Sequence, residues 1–122
     1  MYRSEAGPSS AWVFDTLSTP HGATSLPGEE RAEALYVALS RVVASVESGD
    51  LDARADALAM SLPTPQPTSA RLRTATRALE TCWEEAQQGR LDDGWVQRAR
   101  SAMRGVVRIS LEMRLVAWFT PD

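Results

Sequence analysis

A chain of 122 residues, 43% apolar and 24% charged, has the make-up of one soluble globular domain, and its formal charge of −3 is far from the strongly basic balance of a dedicated nucleic-acid binder. The one cysteine, Cys82, excludes an internal disulfide and a thiol-only metal cage. No run of about 18 apolar residues occurs and no apolar stretch flanked by basic residues opens the chain, so neither a membrane span nor a standard signal peptide is expected and the expected location is the cytoplasm. All 13 basic residues are Arg, with no Lys, no Asn and one Ile, Ile109. That usage is expected of a high-GC bacterial genome, so much of the Arg content is codon bias rather than a sign of an anionic partner.

Residues 1–24 are crowded with Ser, Thr, Gly and Pro and have no sustained period, which predicts an irregular N-terminal arm ahead of a helical domain over 25–122. Within the arm, AWVFDTL carries Trp12, Val13, Phe14 and Leu17, too apolar for a purely solvated tail. Its aromatic rings have two uses: sealing the chain's own core, or anchoring a partner. His21 stands alone, with neither a second His nor an acid cluster nearby, so no ligand or general-base role is expected.

The first helix is expected over about 27–48. Pro27 suits a first turn, Glu29, Glu30 and Glu33 put negative charge where the helix dipole favours it, and Ala32, Leu35, Tyr36, Leu39, Val42, Val43 and Val46 recur at three- and four-residue steps. A shorter helix over about 52–62 shows Leu51, Ala55, Leu58 and Leu62 on one side. It ends in SLPTPQPTS, where alternating Pro63, Pro65 and Pro67 favour a stiff extended spacer. A third helix over about 68–88, capped by Thr68 or Ser69, carries Leu72, Ala75, Leu79, Cys82, Trp83 and Ala86 inward, which makes Cys82 a small hydrophobe; Arg73, Arg77, Glu80 and Glu84 fit charge pairs within the helix. From Asp92 to Arg104 a fourth helix brings Trp95, Ala99 and Ala102 inward. After Gly105 the pattern divides: Val107, Ile109, Leu111, Met113 and Leu115 alternate with Arg108, Ser110, Glu112 and Arg114, as in a strand, whereas Leu, Glu, Met, Arg and Ala are strong helix formers. The expectation is a long helix, with a strand as the alternative.

Two corners organise these elements. SVESGDLDARADAL over 45–58 and EEAQQGRLDDGWVQ over 84–97 align at an offset of forty residues, pairing Pro27 with Pro67, Arg31 with Arg71, Ala38 and Leu39 with Ala78 and Leu79, Gly49 with Gly89, and Leu51 and Asp52 with Leu91 and Asp92. Each Gly can take the left-handed conformation that closes a helix. Asp52 and Asp92, or Asp50 in the first copy, can accept from the amides that open the next helix. Leu51 and Leu91 are placed to pack on both helices. The match reads as an internal duplication or as convergence on one corner geometry. Connections this short force antiparallel neighbours, so the fold expected is all-α, a small four-helix bundle of two antiparallel hairpins. The pattern resembles helical-hairpin repeats of the tetratricopeptide kind but has the longer period and lacks their Trp and Pro signature, so no function follows from it.

Catalytic sets are missing from the sequence. There is no Gly-rich phosphate loop, no Ser-His-Asp set beyond the isolated His21, no zinc ligand set and no paired His and carboxylate, so no enzyme activity, cofactor or metal is expected. Charge is uneven: residues 1–66 hold nine acids against four Arg, residues 67–122 seven against nine. Arg98, Arg100, Arg104, Arg108 and Arg114 crowd the last segment, and on a helix Arg100, Arg104 and Arg108 form a ridge. The ridge is expected to be a solvated face pairing with acids of the first helix. The function expected is a non-catalytic interaction module or accessory subunit, docking on a larger protein or on a second copy through Trp12, Phe14, Trp118 and Phe119, with Arg100, Arg104 and Arg108 steering. The alternative is a regulator that touches nucleic acid or another anionic surface through that ridge.

Overall fold

The computed structural model describes Leu26 and residues 28–119, with side chains to Val116. The arm over 1–24, with Trp12, Phe14 and His21, and also Pro27, lies outside the described residues. Four helices make up the rest: α1 Glu29–Ser48, α2 Leu51–Leu58, α3 Ala70–Gln87 and α4 Trp95–Phe119. Among the described residues there is no strand, and residues 106–119 continue α4.

Both corners close as helix stops. Gly49 and Gly89 sit at φ 75° and 77°, and the next amide reaches back five residues in each: Asp50 N–H to Ser45 O at 3.1 Å, Arg90 N–H to Glu85 O at 2.8 Å. Beyond the glycines the copies diverge. In the first, Asp50 is the cap, its Oδ1 accepting Ala53 N–H at 3.0 Å, so Asp52 falls inside α2 and does not cap it. Helix α2 therefore starts at once and turns Leu51 outward, 68% exposed, against the expectation that it would pack on both helices. In the second, Asp92 Oδ1 accepts Gly94 N–H at 3.1 Å and α4 starts only at Trp95. Leu91 is there half-buried against the core.

Helix α2 also ends earlier and faces differently than its sequence pattern predicts. Ala57 is its buried residue, with Leu58 beside it, whereas Leu51 and Ala55 are exposed. The helix turns positions 53, 54, 57 and 58 inward, four residues that share one face. Residues 60–69 then run without regular structure, the three prolines between Ser61 and Thr68 removing amide donors. At α3, Ser69 rather than Thr68 is the cap, its hydroxyl accepting Leu72 N–H at 3.2 Å.

Helix α1 is central and packs against α2, α3 and α4. Its middle is consequently buried on several sides, with Leu35, Val37, Ala38 and Leu39 all inside, a wider burial than one stripe. Helices α3 and α4 form the second antiparallel hairpin: Arg71 bonds Glu112 near one end, Arg98 bonds Glu85 near the other, and the fully buried Trp95 donates its Nε1–H to Cys82 O at 3.0 Å. Trp95, Ala99, Val106, Ser110 and Arg114 form the buried line of α4. That line explains the alternation. Two of its positions are polar, so Val107, Ile109, Leu111 and Met113, which flank it half-buried, give the apolar residues an apparent two-residue period.

Gly28 and Gly49 have nearly the same positive φ, 78° and 75°, but different surroundings. A Cβ on Gly28 would sit 2.6 Å from Thr68 Cβ and 2.9 Å from Pro67 O, where α1 starts against the loop before α3; a Cβ on Gly49 meets nothing within 4 Å. Gly49→Ala should therefore cost only backbone strain, about 1 kcal/mol, and Gly28→Ala about 2 kcal/mol or more by denaturant unfolding. Equal costs at the two positions would contradict the close packing at Gly28.

Candidate interaction site

The sequence places its hoped-for contacts at the two chain ends and on α4. Of the aromatics, Trp12 and Phe14 lie outside the described residues; α4 runs through Trp118 and Phe119, whose side chains are not among those described. The three-Arg ridge divides. Arg100 is held by Glu47 of α1, Nη2 to Oε2 at 2.7 Å, whereas Arg104 and Arg108 are exposed and make no ion pair among the described residues.

The pairing of C-terminal arginines with acids of α1 is thus found at two places. Besides Arg100 with Glu47, Arg114 donates Nη2–H to Glu29 Oε1, and the two side chains are 7% and 0% exposed. Glu29 Oε1 also accepts Leu26 N–H at 3.0 Å, and Glu29 Oε2 is buried without a hydrogen-bond partner. Glu29 lies in the first turn where the dipole favours it, but it is a buried partner rather than a solubility charge. Glu80 likewise does not pair within its helix: its Oε2 accepts Arg31 Nε–H of α1 at 2.7 Å, while Arg31 Nη1 donates to Pro63 O at 2.6 Å.

Two grooves run along α4, one on each side of Arg104 and Arg108. The groove between α3 and α4 is floored by small or short side chains, Ala75, Ala78, Ala102 and Gly105 with Cys82 and Ile109, and edged by Arg71, Glu85, Arg98 and Arg108. The groove between α1 and α4 is lined by Tyr36 of α1 and by Met103, Val107, Leu111 and Leu115 of α4, with Arg100, Arg104, Arg108 and Glu112 at its edge. Both were missed by the sequence reading. Their signal was the two-sided apolar character of residues 106–115, taken there as a choice between helix and strand.

Cys82, expected to be an inward-facing hydrophobe, is 5% exposed at the floor of the first groove. Burial pushes its thiol up, the Glu85 carboxylate adds to the rise, and Arg98 opposes it. A raised pKa lowers the thiolate fraction at neutral pH, so this is not an activated nucleophile. Among the described residues no group of three or more His, Cys, Asp or Glu is placed to hold a metal ion, and no helix is long and apolar enough to cross a membrane. Comparison with family models, with curated proteins and with solved structures finds no match.

Iodoacetamide labelling checks the state of Cys82: the folded protein should react at least about 100-fold more slowly than the denatured chain at the same pH. Labelling of the folded protein at the rate of a free thiol would contradict its burial.

Proposed function

We propose that this protein is a non-catalytic interaction module, an accessory subunit that receives a helix of a larger protein in the groove between α3 and α4. The observation that carries the reading is the floor of that groove. Ala75, Ala78, Ala102 and Gly105 project little, so a helix axis can approach α3 and α4 closely and bury Ile109 and the faces of the small residues. Such a partner helix would present small or apolar residues inward and acids outward, toward Arg108, which makes no ion pair among the described residues. A second copy of the chain could supply the helix in the same way.

Contact with nucleic acid is the weaker reading. With Arg100 taken by Glu47, the ridge offers two exposed cations on a chain of charge −3, little for a phosphate backbone to recognise.

Affinity capture of the full chain from its own cells, with native mass measurement of the complex, tests the reading. The wild-type chain should retain one partner in stoichiometric amount, or a second copy, and Ala78→Arg or Thr74→Arg, both exposed on the α3 side of that groove, should lose it with the helical dichroism unchanged. A strict monomer that retains no partner would overturn the reading. So would a complex indifferent to both substitutions.

A further inference from the structure

The second groove, between α1 and α4, is shaped by how those two helices meet. They are tied near both ends, by Glu29 with Arg114 and by Glu47 with Arg100, and touch less along their length than α1 does with α2 or α3. What lies between is a strip of half-covered apolar side chains, Tyr36, Met103, Val107 and Leu111, that continues past Arg114 to Leu115, 38% exposed. A contiguous apolar strip of this kind in water is a surface waiting for cover.

The position and length of the chain before Leu26 identify the cover. Leu26 N–H is bonded to Glu29, and Glu29 is bonded to Arg114, so the chain enters the bundle at the Leu115 end of the groove. From Leu115 back to Arg100 the groove runs about 22 Å at the helical rise per residue. From Leu26 back to Leu17 the chain can reach about 30 Å when extended. The segment AWVFDTL over 11–17 can therefore lie along the groove of its own molecule. Seated there, Trp12 and Phe14 would meet an apolar floor and Asp15 would come near an edge that carries Arg104 and Arg108. A tether of this length holds the segment at an effective concentration of order mM, well above the μM concentration of a second copy.

We propose that the groove between α1 and α4 is the seat of the chain's own segment 11–17, with Trp12 and Phe14 against Val107 and Leu111 and Asp15 toward Arg104 and Arg108. The occupied groove completes the bundle on the side that α1 and α4 leave open. It meets the α3–α4 groove at Ser101, Gly105 and Arg108, but its apolar floor of Met103, Val107 and Leu111 is its own, so the seat can be tested with no partner present.

Hydrogen exchange of the full-length isolated protein, read by mass spectrometry, tests the seat without any partner. Amides of residues 11–17 should exchange at least about tenfold more slowly than in an unstructured chain, unchanged on about 100-fold dilution. Val107→Asp should abolish that protection and Ile109→Asp, in the other groove, should leave it. Should Val107→Asp unfold the protein, the arm-side variant Trp12→Ser/Phe14→Ser gives the same reading, losing the protection with helical dichroism intact. Unstructured exchange rates over 11–17 in the wild type would overturn the proposal, as would protection that survives Val107→Asp or Trp12→Ser/Phe14→Ser in a folded protein. Protection lost on dilution together with a dimeric mass would also overturn it, by showing exchange of arms between copies.

Discussion

The buried pair of Glu29 and Arg114 sets the geometry on which the rest of the structure depends. It fixes the start of α1 against the last turns of α4, eighty-five residues along the chain, in a place where both side chains are buried. A buried ion pair adds little net stability relative to an apolar pair of the same size, because desolvating two charges offsets most of their attraction. What it does is penalise misalignment: any register that separates the two strands a charge inside the protein. Leu26 N–H adds a second donor to the same carboxylate oxygen, so the incoming chain is aligned by the same group.

Everything on the α4 face follows from that alignment. With α1 and α4 tied at Glu29–Arg114 and again at Glu47–Arg100, the span between the ties stays open and becomes one groove. The tight α3–α4 hairpin, fastened by Trp95 to the Cys82 carbonyl, presents short side chains and becomes the other. Arg104 and Arg108 stand between the two. The proposed roles divide along the same line, the α1–α4 groove for the chain's own arm and the α3–α4 groove for a partner helix.

The sequence carried the element order and the hairpin corners because those depend on local chemistry. The left-handed closure at Gly49 and Gly89 needs only a glycine after an apolar-periodic run, and Leu39 and Leu79, paired by the forty-residue offset, are both fully buried. The inward set of α3 was legible for the same reason, with Leu72, Leu79, Cys82, Trp83 and Ala86 recurring on one face. What depends on distant partners was not legible. Glu29 looks like any first-turn acid until Arg114 is brought to it, and Ser110 and Arg114 look like the polar side of a strand although they lie on the buried line of α4. The facing of α2 was legible only in part: Leu58 and Leu62 are half-buried against the core as expected, whereas Leu51 and Ala55, in the half next to the cap Asp50, are exposed. As for the candidate site, the sequence pointed to α4 and its arginines, but which of them were spent on α1 was decided by tertiary pairing.

The most direct measurement is a double-mutant cycle across that pair, with Glu29→Gln, Arg114→Met and the combination compared by denaturant unfolding. Each single change should cost about 3–5 kcal/mol by stranding its partner, and the double change should cost much less than the two together, a coupling of a few kcal/mol. Single costs that add to within about 0.5 kcal/mol would show two independent side chains and contradict the account.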